Sequence, residues 1–169
     1  MSGLILISQL FLLSILSYFV YLLSYSLIRG APFAPIGKKR LMLMIDLLDM
    51  KEGNFIDIGS GDGRIVVAAA KKKVIAYGIE INPIIALFAW FRIKRSKLRN
   101  AHIICGDCFR HSYNKYDYIS IWGTNHMVKN IEKKLHKELK PGAKVVSNHY
   151  KFQNWKPKKS KDDVYLYVR

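Results

Sequence analysis

Residues 57–64 read Asp-Ile-Gly-Ser-Gly-Asp-Gly-Arg, which sets two carboxylates and three glycines within eight positions. Gly59, Gly61 and Gly63 let the chain turn sharply off a strand and let a ligand lie against bare backbone. The amides of a helix opening at Arg64 suit an anionic group, such as an amino-acid carboxylate. Glu80 ends the next apolar segment, 23 residues after Asp57. At the carboxyl edge of a parallel sheet an acid in that place accepts both hydroxyls of a ribose. A dinucleotide site would use the same acid, so the loop must discriminate. The dinucleotide fingerprint G-x-G-x-x-G wants a third glycine where Arg64 stands. Asp57, two residues before the first glycine, also suits a cationic ligand better than a pyrophosphate. S-adenosylmethionine carries both an ammonium and a sulfonium, and is the ligand expected at Asp57, Gly59, Ser60, Gly61, Asp62, Gly63 and Glu80. Asp107, in Cys-Gly-Asp-Cys after a third strand, is placed to accept from an adenine amino group; taken alone it reads as a loop cap.

Trp122, Thr124 and Asn125 follow a fourth strand, where a methyl acceptor would approach. Asn125 is expected to guide the acceptor and Trp122 to form part of the channel wall, although a Trp there also suits the core. His126 is a possible proton acceptor, but a lone loop histidine is more often passive. His102, Cys105, Cys108 and His111 form H-x2-C-x2-C-x2-H. Strand alternation would put His102 and Cys105 on opposite faces, and the long gap of zinc modules is missing. No metal is expected, and the two cysteines are expected to remain thiols.

These groups need strands to carry them to one edge. Leu41, Met44, Ile45 and Leu48 recur at helical spacing, giving a first domain helix that ends near Gly53. Strands are expected at 55–58, 74–79, 101–105, 116–122, 144–150 and 164–168. Helices are expected over 64–72, from Pro83 to about Arg99, and around Val128–Leu139, the last stopped by Pro141-Gly142. Alternation of strands and helices argues for a parallel sheet covered on both faces. The tract 156–161 is lysine-rich and reads as a solvated loop. The helix from Ile84 to Arg99 ends in Arg92, Lys94, Arg95, Lys97 and Arg99, interleaved with Trp90, Phe91, Ile93 and Leu98. Such a pattern suits a solvated face, an RNA grip or a membrane surface.

The 169 residues suffice for one domain with a real core. All 40 charged residues lie in the last 141 positions, leaving a greasy leader ahead of a strongly basic globule of net charge +16. Residues 4–28 are an uninterrupted run in which 16 of 25 are Leu, Ile, Phe or Val. At about 1.5 Å per residue such a helix exceeds the roughly 30 Å hydrocarbon core. Five serines can bond back to the helix backbone, and Tyr18, Tyr21 and Tyr25 suit a lipid–water boundary. A cleaved signal peptide would have a basic start and a shorter run. Residues 1–29 are therefore expected to be a single-pass anchor and 30–169 the globular domain, with 29–37 a Pro/Gly-rich linker. Arg29, Lys38, Lys39 and Arg40 put the globule on the cytoplasmic side, and its charge favours anionic headgroups.

The octet, Glu80, Asp107 and Pro141-Gly142-Ala143 together resemble class I methyltransferases. Residues 32–169 resemble, more narrowly, the protein-lysine methyltransferases of the ATP synthase c-subunit and the adenine nucleotide translocase, and a small archaeal relative. The narrower likeness rests on Pro32-Phe33-Ala34-Pro35, Gly59 to Val66, Glu80-Ile81-Asn82-Pro83 and Trp122-Gly123-Thr124-Asn125. It continues in Lys137 to Gly142, Trp155-Lys156-Pro157 and Val164 to Val168. Ile36-Gly37 departs from the pattern, standing where relatives carry Thr or Ser after Pro-Phe-x-Pro, and 155–164 is shorter than the stretch holding their sixth strand. The resemblance implies a Rossmann-like, mostly parallel α/β sheet with an antiparallel last strand and a reduced terminal hairpin. It implies transfer of a methyl group to a protein lysine, on a membrane protein, at the cytoplasmic side or, in a eukaryote, the mitochondrial inner membrane. Methylation of RNA or of a lipid-soluble small molecule, and a non-catalytic cofactor-binding module, are the competing readings. The chain lacks the D/N-P-P-Y tetrapeptide of many nucleic-acid methylases, so nucleic acid is disfavoured as a partner. The sequence leaves the oligomeric state open.

Overall fold

The computed structural model describes residues 2–29 and 35–169. Most of the expected linker, with Pro32-Phe33-Ala34, lies outside the described residues.

Helix α1 (Ser2–Arg29) contains a stretch, Gly3–Tyr21, of mean hydropathy 2.1, none of it buried. By length and composition it is able to cross a membrane. Ser8 and Ser14 donate to the carbonyls three residues earlier, Ile5 and Phe11, at 2.7 Å, which satisfies their hydroxyls in an apolar helix. Tyr18 and Tyr21 are exposed; the side chain of Tyr25 lies outside the described residues.

The rest alternates helix and strand as far as β3 and then departs from it: α2 (Lys38–Leu48), β1 (Asn54–Ile58), α3 (Arg64–Ala70), β2 (Ile75–Glu80), α4 (Pro83–Ser96), β3 (Ala101–Cys105), β4 (Tyr118–Ile121), α5 (Asn125–Glu138), β5 (Lys144–Asn148), β6 (Lys159–Lys161) and β7 (Val164–Val168). One seven-stranded sheet has the order β3-β2-β1-β4-β5-β7-β6. The first five strands are parallel; β7 runs antiparallel between β5 and β6. The chain winds outward from β1 in one direction and from β4 in the other. The carboxyl ends of β1 and β4 therefore flank the switch point at which open α/β sheets bind ligands.

Strand residues alternate between two cores. Phe55, Ala76, Val146, Val164 and Leu166 pack towards α2 and α3. Ile56, Ile58, Ile119, Ile121, Val145 and Tyr167 pack towards α5, Tyr113, Phe152 and Trp155. Glu132, buried on α5, accepts the amides of Gln153 at 2.9 Å and Asn154 at 2.6 Å, fastening the loop that leads to the terminal hairpin.

Three expectations need correction. The lysine tract is not wholly a loop: Lys159–Lys161 pairs with β7 as a three-residue edge strand, all exposed, so the hairpin is short but present. Backbone pairing rather than composition decides this. Helix α2 stops at Leu48, where Asp49 takes a left-handed conformation, so the turn before β1 is longer than periodicity suggested. Helix α4 likewise ends at Ser96, with Lys97 left-handed at its cap.

Candidate active site

The glycine loop leaves β1 with Gly59, Gly61 and Gly63 all at positive φ, a region open to glycine at little cost. Gly59 and Ser60 both donate to the Ile79 carbonyl at 3.0 Å, drawing the loop across the end of β2. Gly78 makes that approach possible: a Cβ there would lie 2.7 Å from the Ser60 Cβ and from a Val66 methyl. A glycine inside a strand often marks such a close approach, and Gly78 is a support of the glycine loop that its sequence context does not single out.

Glu80, at the end of β2, is 8% exposed. One carboxylate oxygen accepts the Gly61 amide at 3.0 Å and the other the Asn82 amide at 2.9 Å. The side chain thus latches the glycine loop to the β2–α4 turn, and each oxygen keeps a lone pair for a further donor. Asn82 completes the turn by capping α4, accepting from Ile84 at 2.9 Å and Ile85 at 3.3 Å. Asn followed by Pro is a helix-start signal, so this cap was findable from the sequence.

Asp57 lies beneath the loop, 1% exposed. Its Oδ1 accepts from the Ser120 hydroxyl at 2.5 Å, across the β1–β4 register that sets the two residues side by side. Its Oδ2 is buried without a partner, as is the Ser60 Oγ. Burial pushes the Asp57 carboxyl up to about 7, with the Glu80 and Asp62 charges adding to the rise and the Ser120 hydrogen bond opposing it. A buried acid with one unsatisfied oxygen lowers its own cost by facing a cation, so the donor set fits a positively charged ligand group.

Asp62 does something different. Arg64 grips both its oxygens, and Arg92 on α4 reaches its Oδ2 and its carbonyl, each at 2.7 Å. Burial alone would raise this carboxyl, but the Arg64 hydrogen bonds and the Arg92 and Arg64 charges hold it below the usual range. Arg64 also donates to the Ile36 carbonyl at 2.8 Å. Ile36 therefore braces the loop through its carbonyl, whatever its side chain, while the Gly37 carbonyl accepts Leu41 at the start of α2.

Asp107 follows β3, whose register brings Cys105 beside Glu80. Its Oδ1 accepts the Phe109 amide at 2.8 Å, the loop-cap role. Burial first, then the Asp107 charge, pushes the Cys108 thiol up to about 12, and burial followed by the Glu80 charge also raises Cys105. Both remain thiols. Asp57 next to last in β1, Glu80 at the end of β2 and Asp107 two residues beyond β3 lie toward the carboxyl edge of three adjacent strands.

On the other side of the switch point, the Trp122 carbonyl and the Met127 methyl both approach within 3.7 Å of the Cβ position of Gly59. That contact sets the β4–α5 turn against the glycine loop. Trp122 is half-buried and packs partly into the α2–α3 core. Thr124 caps α5 by accepting the Met127 amide at 3.3 Å. Asn125 opens α5 in solvent, and His126, also exposed, pairs with Asn130 at 2.8 Å. Among the described residues no cluster of His, Cys, Asp or Glu could hold a metal. Ser120, Asn82, Gly78 and Arg92 were missed as supports of the site.

Residues 57–159 match the family model described as the ANTKMT methyltransferase domain. The chain is 35% identical over 127 residues to the lysine N-methyltransferase of the ATP synthase c-subunit from Homo sapiens, covering 75% of this chain and 54% of that one. It spans about half the length of the mammalian relatives of that name. It is 30% identical to a protein-lysine N-methyltransferase of Saccharolobus islandicus, covering 85% of this chain and 96% of that one. Among solved structures, an RNA methyltransferase from Salinibacter ruber, in complex with S-adenosyl-L-homocysteine, superposes with a TM-score of 0.77 at 27% identity. That likeness covers 80% of this chain and 93% of the other.

Proposed function

We propose, from the premise that the chain belongs to the ANTKMT methyltransferase-domain family and has a class I methyltransferase fold with S-adenosylmethionine as its cofactor, that it methylates protein lysine. The observation that carries the lysine assignment is the likeness to the archaeal protein-lysine N-methyltransferase, which extends over 96% of that protein. Residues 1–29 act as an anchor, the domain from 30 onward stands on the cytoplasmic face or its equivalent, and the acceptor is a lysine on a membrane protein. The apolar α1, the basic residues that follow it and the likeness to the enzyme of the ATP synthase c-subunit support that arrangement.

S-adenosylmethionine, when bound, supplies an electrophilic methyl group on a sulfonium. Asp57 offers its unsatisfied oxygen to the cationic end of the ligand, and the bare glycine backbone of the loop lets the ligand lie close against it. Glu80 accepts from the ribose hydroxyls, while Asp107 sits near the adenine end. Asp62 holds the loop rather than the ligand. Orientation and exclusion of water are the main contributions to an in-line methyl transfer. Thr124 fixes the start of α5, Asn125 guides the incoming amine and Trp122 walls its path. A lysine amine, with an ordinary pKa of about 10.4, loses its proton more readily when desolvated beside a positive charge, so no side chain need serve as base.

Radiolabelled methyl donor added to membranes holding the full chain, followed by mass spectrometry of the labelled species, tests this reading. Methyl-lysine in a membrane protein is expected. Label confined to nucleic acid would instead favour an RNA acceptor, for which the likeness to the Salinibacter ruber protein and the net charge of +16 speak. Label confined to lipid would also overturn the lysine reading.

A further inference from the structure

Helices α4 and α5 are both 14 residues long and both cover the sheet, yet their outward faces differ in kind. Helix α5 buries Met127, Val128, Ile131 and Leu135 and turns Lys129, Asn130, Lys133 and Lys137 to solvent. That is the ordinary division for a helix on a domain surface. Helix α4 inverts it. Its buried residues are the small Ala86 and Ala89, with Ile93, and Gly63 and Ala89 are close enough that a Cβ on Gly63 would lie 3.1 Å from the Ala89 methyl. The bulk points away from the domain. Ile84, Leu87, Phe88 and Phe91 recur at spacings of three and four on the opposite side, and Leu87, Phe88 and Phe91 are 53%, 62% and 55% exposed.

The charges beside this stripe are basic. Trp90 flanks it, with the Lys94 ammonium 5.3 Å from its ring, and Arg95 continues the line at the end of the helix. Next to it, a cleft of about 490 Å³ between the end of α4 and the edge strand β3 is lined by Trp90, Lys94, Lys97, Arg99 and His102 among others. An apolar stripe edged by lysines and arginines is the pattern of a helix lying in a membrane interface, acyl chains against the rings and phosphates at the cations. A second copy of this chain would bring like charge to like charge. The described side chains of α1 are exposed and so do not cover the stripe.

We propose that the outward face of α4 is a second membrane contact, lying flat on an anionic phospholipid bilayer with its phosphates taken by the Lys94–Lys97–Arg99 cleft. The inference rests on the anchored reading of α1 and adds an orientation to it. Helix α4 starts beside Glu80 at the ligand edge of the sheet and runs back to β3. Laying it on the bilayer holds the mouth of the site beside the headgroups, where a lysine just outside a membrane span would be found.

The test uses the full chain reconstituted in vesicles of phosphatidylcholine with about one-third phosphatidylglycerol, carrying bromines on the acyl chains to quench nearby tryptophan. Trp90 is read as the difference between wild type and Trp90→Phe. Its emission is expected to fall at least about twofold with bromines near the headgroups, and less with bromines near the bilayer centre. The half-buried Trp122 and the buried Trp155 should be little affected. A triple variant, Leu87→Ser, Phe88→Ser and Phe91→Ser, should lose the quenching yet stay in the membrane through carbonate extraction, with an unchanged circular dichroism spectrum. Wild type that resists extraction while its Trp90 escapes quenching would overturn the inference and leave the anchor standing. Wild type released by carbonate would overturn the anchor as well. A Trp90 signal that responds to added RNA or to protein density, and not to brominated lipid, would assign the face to nucleic acid or to a second copy and overturn the lipid contact.

Discussion

At the carboxyl ends of β1 to β3 the polar groups are buried or half-buried and, save Asp57 Oδ2 and Ser60 Oγ, tied to other parts of the chain, whereas at the end of β4 Asn125 and His126 are exposed and His126 pairs within its own helix. Glu80 holds two amides, Asp62 holds two arginines and Asp57 holds Ser120. The ligand half is assembled before anything binds. The β4–α5 side, proposed to receive the acceptor, presents one capped helix start. Binding a common cofactor can be encoded entirely within one chain; under the proposed function, recognising a particular lysine needs a surface contributed by the substrate as well.

The largest test of that contrast is Glu80→Ala. Hydrogen bonds to a charged group contribute about 1.5–3 kcal/mol each, so losing both amide contacts and the ribose acceptor should weaken cofactor binding by roughly a hundredfold or more. Calorimetry reads this directly, and wild-type affinity would remove Glu80 from the site. Asn125→Ala should do the reverse: turnover reduced by roughly tenfold to a hundredfold through lost orientation, with calorimetric cofactor affinity unchanged. A parallel loss of affinity would show that the two halves do not separate.

A sharper probe of the ligand half is pH. Asp57, raised by burial to about 7, is neutral below that value and ionised above it. A cationic ligand favours the ionised form, so affinity should rise with pH through about 7, by up to roughly tenfold per unit below it. Asp57→Asn should flatten the dependence. Without ligand the sign reverses. A carboxyl raised in the folded state contributes stability that is fully present below its ordinary value of 3.8 and is lost as pH rises through about 7. Thermal melts across that window should show the loss in wild type and not in Asp57→Asn. The smallest effect belongs to Arg92→Ala. Arg64 still holds Asp62 and the Arg92 side chain is 45% exposed, so cofactor affinity should drop about threefold or less.

The same division governs what could be read from the sequence. The placement of the glycine loop, Glu80 and Asp107 at strand ends and turns was legible because strand–turn–helix spacing is local, and alternation alone predicted the mostly parallel sheet. Ser120 was not: it reaches Asp57 only through the register of β1 and β4, 63 residues apart. Gly78 reads as one more strand residue until Ser60 and Val66 are seen against it. Arg92 reads as one of several surface bases until α4 is laid beside the loop. The outward stripe of α4 was present in the sequence, but periodicity does not say which face of a helix meets the core.

A seven-stranded open sheet ends in two rows of unpaired backbone groups, each a template on which a foreign strand can grow. Here one border is Lys-Ser-Lys, wholly exposed, and the other, β3, is flanked by Lys97 and Arg99. Two such molecules crowded together would meet border to border with the same sign of charge. Mutual repulsion of that kind opposes their fusing into a continuous ribbon.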